Sequence, residues 1–438
     1  MRKYEEIKFI GFTGLSVIPE HWNIGRIKDI STVKGRIGFR GYTKGDFVEK
    51  NQGGLVIGAT EMTDRGNIEI KNPQFLSWQK YYESPEIILK LNDIVLVQRG
   101  STVGKVSIIG LESVNATINP SLVILKKIKT NNQYLLYYLM SPFIQGYISA
   151  QTATTAIPMI SQEQIGNYEV VLPPLTEQTQ IATYLDAKTQ AIDKKISLLT
   201  TKIEYYKELR KTIINNAVTK GLDKKVKLKE SELGLVPCHW AIKRIKDVCN
   251  SIAGGTPQTN IQEYWVGNIP WIPSGKVQNN IVIAEIVEDY ISKDALLKSS
   301  TKMAKRNSIL IALTGATCSN IGYLTFDTAI NQSIVALSKI GNNLSEKYIY
   351  YLLISQREKL RTLMTGGAQG GINQEDVKYF LIPFPPKQEQ TEIATYIDAK
   401  TSTIDAIINN LQLTINNYYE LRKTLINDVV TGKIKVTD

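Results

Sequence analysis

The chain contains one nonapeptide in two versions: Ile181-Ala182-Thr183-Tyr184-Leu185-Asp186-Ala187-Lys188-Thr189 and, 212 residues later, Ile393-Ala394-Thr395-Tyr396-Ile397-Asp398-Ala399-Lys400-Thr401. A second pair of matching segments lies upstream of these, Pro19-Glu20-His21-Trp22 and Pro237-Cys238-His239-Trp240. Two copies of one unit predict two equivalent surfaces related by an approximate two-fold axis. Such a pair of surfaces suits a partner that is itself two-fold, and duplex DNA is one such partner.

Each nonapeptide opens a heptad pattern of apolar residues, which predicts a long helix of the coiled-coil type. The first series is Leu185, Ile192, Leu199, Tyr206 and Ile213, and the second is Ile397, Ile404, Leu411, Tyr418 and Leu425. Proline pairs precede both helices, and Gly221 and Gly432 are placed as glycines that end them. Each helix then covers roughly 40 residues, or about 60 Å.

A single helix with such a stripe would expose it, so we expect the two helices to pack against each other as an antiparallel pair. The alternative is that each helix docks on a partner subunit, and both arrangements can coexist. The Pro-x-His-Trp segments also predict a contact between the two ends of the chain. Residues 1–20 are expected to dock beside Val430 to Val436, which would close the chain into a pseudo-symmetric ring.

Two longer blocks precede the helices, and both show the alternation of apolar strands, Gly-rich turns and short helical patterns of an α+β domain. The predicted fold class is therefore α+β: two similar domains separated by two long helices that form an antiparallel coiled coil, with pseudo-two-fold symmetry. The predicted boundaries are residues 1–172 for the first domain, 173–220 for the central helix, 221–237 for a charged linker, 238–384 for the second domain and 385–438 for the C-terminal helix.

The composition favours a nucleic-acid partner. A net charge of +11 attracts polyanions, although a moderately basic chain is also common without such a partner. The three cysteines have no zinc-ligand spacing and fit reduced thiols in a cytoplasmic protein. Neither a signal peptide nor an apolar run long enough to cross a membrane is present in the sequence, so an intracellular location is expected.

The sequence offers little catalytic chemistry. His21 and His239, the only histidines, occupy the same place in each repeat beside a tryptophan, which indicates a structural role. Gly100-Ser101-Thr102-Val103-Gly104-Lys105 has one residue too few between its glycines for a phosphate-binding loop. Asn72-Pro73-Gln74-Phe75 resembles the pocket motif of amino-methyltransferases but lacks one proline, and no cofactor turn accompanies it. We interpret the chain as a binding protein without a metal site or catalytic residues of its own.

The two blocks share their strand cores but differ in the polar loops between them, which is expected of one scaffold that reads two different targets. Arg, Lys, Asn and Gln can bond base edges, and hydroxyls and lysines can hold phosphates. The candidate DNA-binding residues are Lys34, Arg36, Arg40, Tyr42, Lys44, Thr60, Arg99, Ser101, Thr102 and Lys105 in the first block, and Thr256, Gln258, Thr259, Asn260, Ser274, Lys276, Thr314, Thr317, Ser319 and Asn320 in the second.

These features together resemble one family, the DNA-specificity subunits of type I restriction–modification systems. The resemblance rests on the Pro-x-His-Trp segments, the Gly254-Gly255-Thr256-Pro257 loop, the segment Ile269-Pro270-Trp271-Ile272-Pro273-Ser274-Gly275 and the Pro-Pro-x-x-Glu-Gln helix starts at Pro173 and Pro385. It covers nearly the whole chain. In the first block Lys34-Gly35-Arg36-Ile37-Gly38 replaces the Gly-Gly-Thr-Pro loop.

The resemblance implies that each block is a target-recognition domain for one half of a bipartite, asymmetric DNA site, with the helices setting the gap. It implies two modification subunits that methylate adenine with S-adenosylmethionine, and restriction subunits that use ATP and Mg. None of these cofactors is expected in this chain. The residues expected at the subunit interfaces are Glu177, Gln178, Tyr184, Arg210, Glu389, Gln390, Tyr396 and Arg422.

Two other functions compete with this interpretation. A stand-alone methyltransferase or nuclease would need a cofactor turn and a catalytic motif, which the sequence does not offer. A duplicated, non-catalytic scaffold that binds RNA or protein would also fit the basic charge and the coiled coil.

Overall fold

The computed structural model describes residues 3–12, 15–38, 41–110, 115–153, 157–365 and 370–436. Two compact units make up the chain: unit 1, Met1–Thr200 with Leu413–Asp438, and unit 2, Thr201–Gln412. Each unit therefore contains one recognition block together with a part of both long helices.

Unit 1 holds twelve strands within the described residues, and five short helices precede the first long one. The strands are β1 (Ile7–Phe12), β2 (Leu15–Pro19), β3 (Asn23–Arg26), β4 (Thr32–Gly35), β5 (Phe47–Val48), β6 (Gly53–Ile57), β7 (Gln74–Ser77), β8 (Ile94–Val97), β9 (Val106–Ile108), β10 (Ala116–Ile118), β11 (Leu122–Lys126) and β12 (Glu169–Leu172). The helices are α1 (Ile27–Ile30), α2 (Trp78–Tyr82), α3 (Asn132–Met140), α4 (Pro142–Thr152), α5 (Gln162–Asn167) and the long α6 (Leu175–Lys220), which starts in this unit.

Unit 2 repeats this order of elements with local additions. Its strands are β13 (Leu228–Lys229), β14 (Val236–Pro237), β15 (Ala241–Arg244), β16 (Cys249–Ala253), β17 (Ile269–Ile272), β18 (Asn280–Val282), β19 (Asp289–Ile291), β20 (Lys302–Ala304), β21 (Ile309–Ala312), β22 (Ile321–Leu324), β23 (Thr328–Ile330), β24 (Ile334–Lys339) and β25 (Leu381–Phe384). The helices are α7 (Lys293–Lys298), α8 (Glu346–Ser355), α9 (Arg357–Arg361), α10 (Gln374–Tyr379) and the long α11 (Lys387–Val430), which starts in this unit.

Two main sheets recur in both units. Unit 1 has the strand orders β10-β6-β7-β5 and β4-β11-β8-β9, and unit 2 has β19-β17-β23-β20 and β16-β24-β21-β22-β18. The first sheet of each unit contains a parallel strand pair, β6 with β10 and β17 with β23, and in unit 2 β18 also runs parallel to β22. This confirms the predicted α+β class for both blocks.

Strand β8 is buried on both faces because side chains alternate across a strand. Ile94 and Leu96 join the core that their sheet shares with the helices, whereas Val95 and Val97 join the core between the two sheets. In unit 2, β21 divides its side chains in the same way. A strand covered on both sides needs an unbroken apolar run, which is the pattern that predicted both strands.

In each unit the segments of the two long helices lie antiparallel. In unit 1, Asp193 of α6 lies 3.5 Å from Arg422 of α11, and Ile181 and Leu185 share a core with Ile426. In unit 2, Arg210 lies 3.1 Å from Asp405, and Ile214 shares a core with Ile397. Higher numbers on one helix meet lower numbers on the other, which confirms the predicted antiparallel pairing within both units.

These contacts exchange the two sequence copies. Arg422 and Asp405 are the repeat equivalents of Arg210 and Asp193, so each ion pair joins an arginine of one copy to an aspartate of the other. The buried Tyr134 of α3 and Tyr348 of α8 likewise contact the long helix of the other sequence copy. Tyr134 donates to the carbonyl of Val171 at 2.8 Å, and it lies 3.4 Å from that of Val430 on the other helix.

The predicted docking of the chain start beside the end of α11 is confirmed in unit 1. Gly432 has a φ of +76°, and a Cβ placed on it would lie 2.4 Å from Pro19 Cδ. Gly221 holds the equivalent position in unit 2, with a φ of +75° beside Trp240 and Glu389. Both helices therefore end at a left-handed glycine because the Pro-x-His-Trp segment packs against it.

The Glu-Gln pair at each helix start makes contacts within its own unit, and its place at a subunit interface stays a prediction. Glu177 is buried and accepts hydrogen bonds from His21 and Trp22. Gln178 is buried and bonds to the backbone of Pro173 and Asn131. Glu389 and Gln390 repeat both sets of contacts in unit 2.

Three of the remaining interface candidates are at least partly covered by contacts in their own unit. Arg422 is buried beside Asp193, and Arg210 is half-buried beside Asp405. Tyr184 is half-buried, with the Lys188 ammonium 5.5 Å from the centre of its ring. Tyr396 is exposed, so it and the open side of Tyr184 stay as predicted contact points.

The segment predicted as a linker has some regular structure. Leu228 and Lys229 form β13, which pairs with β14. The charged segment therefore contributes one short strand, and the side chains of both its residues are exposed. The role of the long helices in setting the gap between two half-sites stays a prediction.

Candidate nucleic-acid interface

In unit 1 three chain segments meet at one edge of the sheet β10-β6-β7-β5. Strands β6 and β10 are parallel, with Val56 opposite Thr117, so their carboxyl ends lie at the same edge. Strand β7 is antiparallel to β6 and starts at that edge. Residues 58–61, 72–74 and 119–121 form what we call the strand-end edge of unit 1. The carboxyl ends of parallel strands are a frequent place for ligand binding.

Unit 2 builds a corresponding edge from its own parallel pair. Trp271 of β17 lies opposite Ala329 of β23, so residues 273–276 and 331–333 leave the sheet together. The Gly254-Gly255-Thr256-Pro257 loop packs on this edge, and the Thr256 hydroxyl donates to the Gln332 carboxamide. These residues form the strand-end edge of unit 2.

A hairpin lies beside each edge. In unit 1 the turn between β8 and β9 follows Gln98, whose side chain donates to the Pro120 carbonyl at 3.1 Å. The Arg99 amide lies 3.3 Å from the Ser121 carbonyl. In unit 2 the Thr314 hydroxyl donates to Ser333 Oγ at 2.9 Å. Each unit therefore presents a hairpin and a strand-end edge as one continuous polar surface.

Most DNA-binding candidates lie at least partly in solvent. The exposed ones are Lys34, Lys44, Thr60, Arg99, Ser101, Thr102, Gln258, Thr259, Asn260 and Thr314, and the half-buried ones are Tyr42, Lys105, Thr256, Ser274, Lys276 and Thr317. Arg40 lies outside the described residues. The structure brings Thr60, Arg99, Ser101 and Thr102 to the edge and hairpin of unit 1, and Thr256, Ser274, Lys276, Thr314 and Thr317 to those of unit 2.

Three candidates are buried, and the structure corrects their assignment. Arg36 donates to Ser84 Oγ at 3.2 Å and lies 4.9 Å from the centre of the Tyr42 ring. Burial lowers the pKa of Arg36 from its ordinary value. The Asn320 carboxamide donates to the Val277 carbonyl at 3.0 Å, and Ser319 is fully buried. Arg36 and Asn320 hold their own loops through these bonds, whereas the Ser319 hydroxyl is buried without a hydrogen-bond partner among the described residues.

Two candidate lysines already have acidic partners. Lys105 lies 2.9 Å from Asp64, and Lys276 lies 2.6 Å from Glu288. The carboxylates are mostly exposed, at 93% and 75% of their side-chain surface. Exposed ion pairs contribute little free energy, so a phosphate can compete for either lysine.

Sequence reasoning missed four polar residues of the unit 1 edge: Glu61, Asn72, Gln74 and Asn119. They border a pocket of about 340 Å³ together with Tyr42 and Thr60. Two of them, Asn72 and Gln74, belong to the Asn-Pro-Gln-Phe segment, whose polar residues were the available signal. Within the described part of the chain there is no His/Cys/Asp/Glu group that could hold a metal ion. No helix among the described residues is long and apolar enough to cross a bilayer.

Comparison with known proteins gives a consistent set of relatives. The family model described as the type I restriction modification DNA specificity domain matches residues 19–204 and 237–417. The chain is 24% identical over 452 aligned positions to the type I restriction enzyme MjaVIII specificity subunit of Methanocaldococcus jannaschii, covering 100% of this chain and 98% of that protein. It is 26% identical over 309 positions to the EcoR124I/EcoR124II specificity subunit of Escherichia coli, covering 67% and 68%.

Two solved structures have the same fold. One comes from work on complex assembly and conformational transition of the type I R-M system; it has a TM-score of 0.74 and 16% identity, covering 95% of this chain and 99% of that one. The other is the HsdS subunit from Thermoanaerobacter tengcongensis, with a TM-score of 0.54, 15% identity and coverage of 95% and 98%.

Proposed function

The chain belongs to the family of type I restriction–modification DNA-specificity proteins, and from this membership we propose that it directs adenine methylation and restriction to one bipartite, asymmetric DNA site. Each unit reads one half of the site. Base contacts carry the sequence information, while contacts to phosphates hold the register.

One observation carries this proposal: the two units share a frame but present different side chains at equivalent edges. Glu61 stands four residues after the end of β6, and Lys276 stands four residues after the end of β17. A carboxylate accepts hydrogen bonds from base edges, whereas an ammonium group donates them. Equivalent positions with opposite chemistry favour two unlike half-sequences, hence an asymmetric site.

The chain works with methyltransferase and restriction subunits and with duplex DNA. We assign S-adenosylmethionine, ATP and Mg to those partner subunits. The reaction takes place where the cell keeps its DNA, so the proposed location is the cytoplasm. The contribution of this chain is then to bind and position the DNA.

The rival functions gain no support from family membership. A duplicated scaffold for RNA or protein would not require the two units to present different polar side chains at equivalent edges. A stand-alone methyltransferase would transfer a methyl group without other subunits. Incubation of the pure chain with DNA and labelled S-adenosylmethionine tests this, and methyl transfer by the chain alone would contradict the proposal.

The deciding experiment is to express the chain with the methyltransferase subunit of its own system and to map methylated adenines by long-read sequencing. The expected map shows a single motif with two different half-sequences separated by a fixed gap. Cells with the methyltransferase subunit alone serve as the control and should lack the motif. A palindromic motif, or methylation that does not depend on this chain, would refute the assignment.

A further inference from the structure

The pocket at the strand-end edge of unit 1 holds a fixed acceptor. Glu61 Oε2 accepts from the Gly58 amide and Oε1 from the Thr60 hydroxyl, both at 2.8 Å. These bonds orient the carboxylate and leave each oxygen with further acceptor capacity. Gly58 keeps the space open, because a Cβ there would lie 2.7 Å from Asn119 Nδ2 and 3.1 Å from Glu61 Oε2.

Amide groups and the Lys71 side chain line the pocket around this acceptor. Asn72 and Gln74 are exposed, and among the described residues their side chains have no hydrogen-bond partner within the unit. Asn119 Oδ1 already accepts from the Ser121 amide at 3.0 Å and from its hydroxyl at 2.6 Å. The Asn119 amide nitrogen is therefore the polar group with which this side chain can serve a ligand.

The pocket is built for hydrogen bonding and not for stacking. Tyr42 is its aromatic residue, and the Arg36 guanidinium lies over that ring, 4.9 Å from its centre. Phe47 meets the same ring edge-on at a centroid distance of 5.4 Å. The Tyr42 ring is therefore already engaged by two neighbours, which favours a hydrogen-bonding role for the pocket over base stacking.

We propose that this pocket reads the major-groove edge of one adenine in the half-site bound by unit 1. That edge presents the N6 amino donor beside the N7 acceptor. The Glu61 carboxylate accepts a hydrogen bond from N6, and an amide nitrogen of Asn72 or Gln74 donates one to N7. Cytosine also presents an amino donor, at N4, but the acceptors beside it belong to the paired guanine, so the cytosine ring itself uses the pocket less completely. This inference rests on the proposed function and extends it to particular residues.

Unit 2 does not repeat the pocket chemistry. Lys276 stands where unit 1 has Glu61, and the Thr256 hydroxyl is bonded to Gln332. The adenine-reading set therefore belongs to unit 1 only. A change to it should alter one half-site and leave the other intact.

The test uses the assembled complex with its methyltransferase partner and a series of duplexes. In each duplex one adenine of the recognised site is replaced by purine, which lacks the N6 amino group. For the natural chain, one such replacement in one half-site should weaken binding roughly tenfold to a hundredfold. Glu61→Ala should weaken binding to the unmodified site similarly and should no longer respond to that replacement.

Gln74→Ala provides a second variant on an exposed side chain that leaves the Glu61 contacts in place. This variant should weaken the base preference at the same position of the methylated motif. The matched controls are Glu69→Ala and Gln79→Ala, exposed side chains that do not line the pocket, and both should keep the natural motif. Melting curves confirm that each variant folds.

The outcomes separate this inference from the proposed function. If the natural complex methylates no interrupted motif, the proposed function fails. If it does methylate one, and Glu61→Ala and Gln74→Ala both discriminate every position as the natural chain does, the pocket assignment alone is overturned. Relaxation at a position that the natural methylation map shows to be a C·G pair would also overturn it.

Discussion

Trp22 donates a hydrogen bond from its indole nitrogen to Glu177 Oε2 at 3.1 Å, which joins the beginning of the first block to the beginning of the first long helix. Trp240 and Glu389 repeat the bond at 3.1 Å in unit 2. The Pro-x-His-Trp segment is thus hydrogen-bonded to the Pro-Pro-x-x-Glu-Gln segment in both units. They recur because each fastens a recognition block to its helix.

Removing the indole donor should destabilise unit 1 more than unit 2. The Glu177 side chain is 9% exposed and that of Glu389 is 24% exposed, so water replaces the lost donor more easily at Glu389. Trp22→Phe should lower the free energy of unfolding by about 1–3 kcal/mol beyond the loss of ring volume. Trp240→Phe is the matched control, with the same loss of volume. Urea unfolding followed by circular dichroism measures both, and equal losses would contradict the burial argument.

Gly432→Ala should destabilise the chain more than Gly315→Ala. Both glycines have positive φ angles, +76° and +68°, so both substitutions carry the left-handed strain of about 1–2 kcal/mol. At Gly432 the new Cβ would also meet Pro19 Cδ at 2.4 Å, whereas nothing lies within 4 Å of it at Gly315. Thermal unfolding should show a clearly lower midpoint for Gly432→Ala. Identical midpoints would mean that the chain start does not pack on the helix end.

Ser319→Gly should stabilise unit 2. Ser319 has a φ of +65° and is fully buried, and among the described residues its hydroxyl has no hydrogen-bond partner. In unit 1 the equivalent residue is Gly104, with a φ of +89°. Removing the backbone strain and the unpaired buried hydroxyl should raise the free energy of unfolding by about 1 kcal/mol. A lower unfolding midpoint for Ser319→Gly would show that its hydroxyl is satisfied in solution.

The stability of unit 2 should fall in alkaline solution. Burial raises the pKa of Tyr350 to about 12, above the ordinary tyrosine value of about 10. The folded state therefore holds this proton more tightly, so its contribution is complete below pH 10 and is lost as the pH rises toward 12. Tyr350→Phe should flatten the decline in unfolding midpoint between these pH values. Unchanged pH profiles for the two proteins would show that this tyrosine ionises freely in the folded state.

Arg99→Ala should weaken DNA binding uniformly across sequences. Arg99 is exposed on the hairpin beside the strand-end edge, where a guanidinium can hold a phosphate. Loss of one phosphate contact lowers the slope of log K against log salt by about 0.9. Lys211→Ala, an exposed lysine on α6, is the control and should leave the slope unchanged. Loss of discrimination at a single base position would instead assign Arg99 to base reading.

The sequence predicted the elements whose formation depends on residues close together in the chain. The heptads predicted α6 and α11, and the apolar runs predicted β8 and β21, because both patterns report directly on which faces are buried. The glycines that end the helices followed from the same logic.

The side chains whose contacts the sequence did not reveal are those with partners distant in sequence. Glu177 looked like a surface charge because its donors lie 155 and 156 residues away. Arg36 was a DNA-binding candidate because the sequence did not reveal its contact with Thr117, which is 81 residues away. The pocket around Glu61 could not be foreseen, since it exists only because β6 and β10 run parallel and bring three separate loops together.

Strand β8 is covered on both faces, and this restricts how the protein can evolve. Substitutions inside such a strand disturb two cores at once, whereas substitutions just beyond the sheet edge disturb neither. Natural selection can therefore alter the reading residues over successive generations while the frame retains its stability. The two-sided burial of β8 thus separates the positions that maintain the fold from the positions that are free to vary.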